Sequence, residues 1–294
     1  MANLAVFIER CTLTRPKERG ALSRLFREAD HLGHRMDFIY RTDVPRIPEY
    51  DALFIRSFTD PLNSAYVASR TAQMHGMRVI DDPDSILVCC DKVNMYRHLQ
   101  RRQVPMPDTV FLAEEELTPR RGEELLESLG SPLVLKAPNS SFSKYVDRVT
   151  DPDAFVHVGK RFMRRSDRVV AQRFVRSEFD WRVGVLAGQV LFVCRYLIAP
   201  TTWKILNYTA TGKPVFGGIQ GCTLDSVDPK LLDTAVQAAL AVGNGIYGVD
   251  LKQVGDEYLV IEVNDNPDIY AGDEDQLAPE LYERLVRYLA GEWG

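Results

Sequence analysis

No apolar run in the sequence approaches the roughly 18–20 residues that a membrane helix needs. The opening MANLAVFIER is too short in its apolar stretch for a signal peptide and reads as a buried strand. The cytoplasm is therefore the expected location. There are five cysteines and no CxxC, so reduced thiols are expected and a disulfide framework or thiolate zinc site is not. The five histidines show no HExxH or other zinc spacing. Any bound metal must then take oxygen ligands, which favours Mg²⁺ or Mn²⁺. A net basic balance is also lacking. The net charge of -5 gives no global field for nucleic acid and speaks against it as a partner. No GxGxxG follows the first apolar run, so a dinucleotide-binding domain lacks support, and no GxxxxGK[ST] occurs, so a P-loop is excluded.

What is present is an ordinary globular composition, 45% hydrophobic and 26% charged, over 294 residues. That length suits two domains or one with subdomains. Residues 4–8, 37–40, 52–56 and 77–81 read as short strands. Helical spacing separates them at 18–33 and 62–75, which predicts a small parallel α/β unit. Ligands meet such sheets at the carboxyl ends of strands, where Arg10, Arg56 and Ser57 fall. One helix is expected over 84–102, and the prolines of VPMPDT end it. Strands follow at 109–113, 132–136 and 169–175, with helices over 119–129 and 151–165 and a polar loop over 137–145. A hairpin turns around Gly188, an amphipathic helix covers 228–243, and a last helix covers 278–290.

The segment YLVIEVN alternates with period two. Tyr258, Val260, Glu262 and Asn264 are expected on one face, with Leu259, Ile261 and Val263 on the other. Burying a carboxylate in such a run costs several kcal/mol unless a cation meets it. The preceding strand, YGVDLKQV, supplies Asp250. A two-residue turn at Gly255-Asp256 would set Asp250 opposite Ile261. An odd-length loop or a bulge is therefore needed to set it opposite Glu262. With that register, two carboxylates and an amide oxygen converge as a hard-cation site. The alternative is a solvated hairpin face.

GVDL followed by YLVIEVNDNP resembles the metal-binding end of ATP-grasp ligases, above all the RimK-like and glutathione-synthetase-like carboxylate–amine ligases. The resemblance covers roughly residues 85–275. It implies a mixed α/β (α+β) chain in which an ATP-grasp fold follows a small Rossmann-like parallel α/β domain. The expected division is 1–83 for that domain, 84–170 for a linker helix and central subdomain, and 171–294 for the C-terminal subdomain with the metal site. The resemblance implies ATP and Mg²⁺ (or Mn²⁺), with two ions, and makes Asp250, Glu262 and Asn264 the ligands. Lys92 and Lys136 match its two phosphate lysines. Gln172, Arg173, Phe174 and Val175 match the adenine-reading hinge, and Asp180 the acidic residue near the ribose. Arg182, Lys204 and Asn207 match residues beside the phosphates and the reacting carboxylate. The family's phosphate loop is usually glycine-rich, whereas here Asn139 to Asp147 has no glycine. Ser140, Ser141 and Ser143 are left to cradle phosphate. Lys204 also departs from the usual arginine, giving up bidentate geometry.

Position alone gives these lysines other readings. Lys136 reads as a side chain snorkelling at a strand edge, and Lys92 as a solvated helix charge. The basic residues of 160–173 read as a solvated helix end or as a docking face for an acidic peptide. The acidic residues of 265–275 read as a solvated loop or as a hold for an incoming amine. The implied reaction joins a carboxylate substrate to an amine, such as an amino acid or peptide, through an acyl phosphate. Arg56 is the candidate clamp for a substrate carboxylate. A homo-oligomer also accords with the resemblance. The rival functions are a small-molecule kinase on the same fold and a nucleotide-binding regulator without turnover.

Overall fold

The computed structural model describes residues 1–293 apart from Phe142, Ser143, Thr201, Thr209 and Ala210, and apart from the side chain of Asn207. The expected phosphate-loop residue Ser143 thus lies outside the described residues. The chain opens with β1 (Asn3–Ile8), α1 (Pro16–His31), β2 (Arg35–Ile39), β3 (Ala52–Arg56), α2 (Ser64–Met74) and β4 (Arg78–Ile80). The strands form the expected parallel sheet, and their order is β2-β1-β3-β4. Leu4 to Ile8 are all buried. Both faces of β1 are covered, which is why it reads as a continuous apolar run. Leu4, Val6 and Ile8 share a core with Leu22 and Leu25 of α1, whereas Ala5 and Phe7 pack with Ala65 and Ala68 of α2.

The helix expected over 84–102 is two helices, α3 (Pro83–Cys89) and α4 (Lys92–Arg101). The break has a local cause. Asp91 is an N-cap whose carboxylate accepts from the backbone of Val93 and Asn94 at 2.8 and 3.0 Å. The first residue of α4 is therefore Lys92.

A second sheet holds β5 (Thr109–Leu112), β6 (Leu133–Lys136), β7 (Val146–Val149) and β8 (Val169–Arg173), in the order β5-β8-β6-β7. Helices α5 (Pro119–Leu129) and α6 (Pro152–Met163) cover one face through Leu125, Phe155 and Phe162. The third sheet contains β9 (Phe179–Leu186) and β10 (Gln189–Leu197), the expected hairpin. Between β10 and the rest of this sheet runs a two-stranded ribbon, β11 (Leu206–Tyr208) with β12 (Pro214–Phe216). Then come β13 (Ile219–Cys222), α7 (Pro229–Val242), β14 (Ile246–Val254) and β15 (Glu257–Asp265), giving the order β13-β10-β9-β14-β15. α7 and α4 back this sheet through Ala235, Ala238, Met95 and Leu99. The last helix, α8 (Leu281–Ala290), returns to the first sheet and buries Leu281, Leu285 and Leu289 in the same core as β1 and α1. No described helix is long and apolar enough to cross a membrane.

Candidate active site

The β14–β15 hairpin turns at Gly255-Asp256 in two residues, since Val254 pairs with Glu257. Gly255 takes a positive φ of 59° there, which suits glycine. Continued evenly, that register would oppose Asp250 to Ile261. The ladder shifts between Asp250 and Leu251 instead, Ile261 is the extra residue of a bulge, and Asp250 faces Glu262. The bulge also corrects the expected faces. Tyr258, Val260 and Val263 all lie in the core against α7, so neither Tyr258 nor Val260 shares a face with Glu262. Across the sheet Arg182 of β9 is the register partner of Asp250, so Arg182, Asp250 and Glu262 form a row.

That row is densely paired. Arg182 grips Asp250 with two hydrogen bonds, at 2.6 and 3.0 Å. Asn264 Nδ2 donates to Asp250 Oδ2 at 3.1 Å. Gly248 leaves the room, because a Cβ there would stand 2.9 Å from the Arg182 guanidinium. Lys92 meets Glu262 at 2.7 Å and donates to the Ser140 carbonyl at 2.5 Å. Burial opposes the charge of Glu262, but Lys92, and less strongly Lys136 and Arg182, hold its carboxyl below the usual range. Burial instead lifts the Asp250 carboxyl to about 6 against the pull of Arg182. Two carboxylates and an amide at one strand edge are the oxygen donors a hard divalent cation takes, so these residues fit Mg²⁺ or Mn²⁺. Among the described residues no three His, Cys, Asp or Glu side chains gather as a metal-binding group, and this edge offers two carboxylates with an amide in place of a third.

Above the row opens a cavity of about 150 Å³ between the second and third sheets. Asp250 and Glu262 line it together with Lys92, Lys136, Ser140 and Ser141. Gln172, Arg173, Phe174 and Val175 line it from the end of β8, with Asp180 and Lys204. Lys136 is buried, and its ammonium donates to the Tyr96 hydroxyl and to Gln172 Oε1, both at 2.7 Å. Burial lowers its pKa to about 8. Arg173 pairs with Asp108 at 3.2 Å. Asp180 accepts from Ser177 at 2.9 Å and pairs with Lys252. Lys204 lies 3.9 Å from Asp147 and stacks on Trp203, whose ring meets Phe174 edge-on. The glycine-free loop closes by a hydrogen bond from Ala137 N–H to the Tyr145 carbonyl, and among its described residues Tyr145 takes a positive φ.

Other expected residues stand apart from the cavity. The backbone of Asn207 pairs with Val215 in the ribbon. Arg56 does not line the cavity; it donates to Asn266 Oδ1 and to the Pro267 carbonyl, both at 2.8 Å. The acidic segment is paired within the chain, Asp273 with Lys17, Asp275 with Arg24 and Glu274 with the Tyr196 hydroxyl. Tyr96, Lys252 and Trp203 were not singled out from the sequence. Lys252 was within reach, two residues beyond Asp250 on one strand, and Tyr96 stands one helical turn after Lys92.

An ATP-grasp domain model matches residues 89–268. A glutamate–LysW ligase of Sulfolobus acidocaldarius is 23% identical over 254 residues, 83% of each chain. A probable alpha-L-glutamate ligase of Pseudoalteromonas atlantica is 22% identical over 94% of this chain and 93% of its own length. The fold is also that of a D-alanine–D-alanine ligase from Bacillus anthracis, with a TM-score of 0.72 at 14% identity over 99% of this chain and 97% of that one. The matched span includes Lys92, Lys136, residues 172–175 and the Asp250–Glu262–Asn264 edge alike, and the chain belongs to the ATP-grasp family as an ATP-dependent carboxylate–amine ligase.

Proposed function

We propose that the chain joins an acid to an amine through an acyl phosphate, with ATP bound in the cavity between the second and third sheets. A carboxylate oxygen of the acid attacks the γ-phosphorus, and the bond to the bridging oxygen breaks to release ADP. The amine then attacks the acyl carbon, inorganic phosphate leaves, and the amine proton passes to solvent. The observation that carries this is the meeting of Lys92, Lys136, Asp250 and Glu262 on one cavity.

Lys92 and Lys136 hold phosphate oxygens, and the serines of the loop add donors. The carbonyl-rich end of β8, through Phe174 and Val175, meets the base. Lys204 faces the charge that develops on the transferring phosphoryl group, and Arg182 adds positive charge behind the Asp250 it grips. Asp250, Glu262 and Asn264 would hold Mg²⁺ or Mn²⁺, two ions in all, which neutralise phosphate charge when bound. The cytoplasm, which supplies ATP, is the setting this chemistry needs.

A groove of about 970 Å³ shares Ser140 and Ser141 with the cavity. Arg97, Lys144, Arg165 and Arg168 line it against Asp60 and Asp91. Its size and charge favour an acidic peptide as acceptor over a free amino acid, and the relatives' names make glutamate the first amino acid to assay.

Hydroxylamine trapping tests the reaction. With its acid substrate and ATP the chain should yield a hydroxamate and ADP. Phosphorylation of an alcohol without hydroxamate would mark a kinase, and nucleotide binding without ADP release across a panel of acids and amines would mark a regulator.

A further inference from the structure

The bulged strand β15 is the edge of its sheet, and its outer side is met by α4 and the segment after it. Val260 N–H donates to the Pro105 carbonyl at 2.8 Å. Val263 N–H meets the Met95 sulfur at 3.1 Å. The Tyr96 hydroxyl donates to the carbonyl of Ile261, the bulge residue, at 2.6 Å. The same hydroxyl accepts from Lys136, whose ring contact with Tyr96 spans 5.4 Å. Tyr96 is wholly buried.

One hydroxyl thus serves two sheets. Its single proton is committed to Ile261, so its lone pair is free to take an N–H of Lys136. Gln172 takes a second N–H of that ammonium and is itself held, its Nε2 donating to Thr109 at 2.8 Å. A third N–H of Lys136 is left for a phosphate oxygen. Resting on the nucleotide site proposed above, we infer that Tyr96 is a positioning residue: it aims Lys136 at phosphate and pins the bulge that keeps Asp250 opposite Glu262. Met95 pins the same edge one residue pair further on, without touching Lys136. A phenylalanine at 96 would fill the same space but leave the Ile261 carbonyl without its donor and Lys136 short of one acceptor.

The test is calorimetric titration of the full chain with AMPPNP over a range of Mn²⁺ concentrations. Tyr96→Phe should weaken AMPPNP binding about tenfold at saturating Mn²⁺, the scale of one hydrogen bond to a charged group. In a cycle with Lys136→Met the double variant should bind no more weakly than Lys136→Met alone. Tyr96→Phe and Met95→Leu should each raise the Mn²⁺ concentration at half-saturation, by about tenfold if they act as outer partners of a metal site do. The Mn²⁺ electron-paramagnetic resonance signal reads the same shift without turnover. Unchanged half-saturation in both variants, or losses that add in full with Lys136→Met, overturn the inference. A native chain that binds AMPPNP while Tyr96→Phe binds it equally well overturns the inference alone. A native chain that binds no AMPPNP overturns the nucleotide site and the inference with it. Circular dichroism checks the fold, and if Tyr96→Phe is unfolded, Met95→Leu carries the Mn²⁺ measurement by itself.

Discussion

Lys136 is a lysine that the fold holds at the edge of its charged form. Burial brings its pKa down to about 8, so it is charged below that and neutral above it. A phosphate ligand favours the charged form. Affinity for AMPPNP should therefore be steady below pH 8 and fall about tenfold per unit above it, a slope that Lys136→Met removes. Stability moves the other way. The folded pKa is depressed, so between pH 8 and the ordinary lysine range the unfolded chain binds more protons, and this group's contribution to folding rises with pH. A flat affinity profile from pH 7 to 9.5 would refute the assignment. Glu262→Gln makes a sharper demand, because it removes a proposed metal ligand and leaves Lys92 buried against an amide. Hydroxamate formation should fall by about a hundredfold or more, and the melting temperature should drop as well. Neither lysine shows its role in its own neighbourhood of sequence. Lys92 is 4% exposed and Lys136 5%, where position alone suggested solvent. Their partners, Glu262 and Tyr96, come from other elements, so no local pattern could reveal the burial.

At the scale of elements, period and punctuation carried most of the fold. The four parallel strands, the hairpin at Gly188 and the amphipathic α7 are where alternation and helical spacing put them. The errors have physical reasons. A single helix over 84–102 is expected because apolar spacing continues across Asp91, although aspartate before a helical run is an N-cap signal. Strand β7 has no counterpart in the sequence reading, which assigns nothing between the polar loop at 137–145 and the helix from 151, because it pairs only with β6 at the sheet edge and is half-exposed. Strict alternation gives the wrong face for Tyr258 and Val260 because a bulge reverses it from one residue onward, even though a bulge is one of the two ways to align Asp250 with Glu262. The cap gives a prediction at this scale. Asp91→Ala should cost about 1 kcal/mol of stability in urea unfolding, the usual loss for a missing N-cap. It should also weaken AMPPNP binding, because Lys92 is the first residue of the helix it caps. A stability loss with full nucleotide affinity would show that Lys92 is positioned by Glu262 alone.

At the scale of the whole molecule, the first sheet is joined to the proposed metal edge by a latch that follows β15. Asn266 adopts a positive φ of 43° and offers each of its polar groups to a residue at the carboxyl ends of the first sheet. Its Oδ1 accepts from Arg56, its Nδ2 donates to the Ser57 carbonyl at 2.6 Å, and its backbone N–H donates to Asp81 at 2.5 Å. Asp81, fully buried, also accepts from Ile246 N–H at the start of β14 at 3.0 Å. One end of each strand in the β14–β15 hairpin is thus tied to the first sheet, and α8 adds apolar packing on that sheet. Cutting the latch should loosen the hairpin end before it unfolds the chain. Arg56→Ala leaves the Asn266 side-chain oxygen and the Pro267 carbonyl without their donor, which costs roughly 1–3 kcal/mol where such groups are buried. Hydrogen exchange should then speed up at residues 262–268 while the amides of β9 and β10, deep in the sheet, keep their protection. The Mn²⁺ concentration for half-saturation should rise, because the loosened segment contains Glu262 and Asn264 as well as Asn266 and Pro267, which Arg56 grips. Exchange that accelerates uniformly over all three sheets would mean that Arg56 only adds global stability. Unchanged exchange at 262–268 with weaker binding of an acid substrate would return Arg56 to the role of substrate clamp that its place at the end of β3 first suggested.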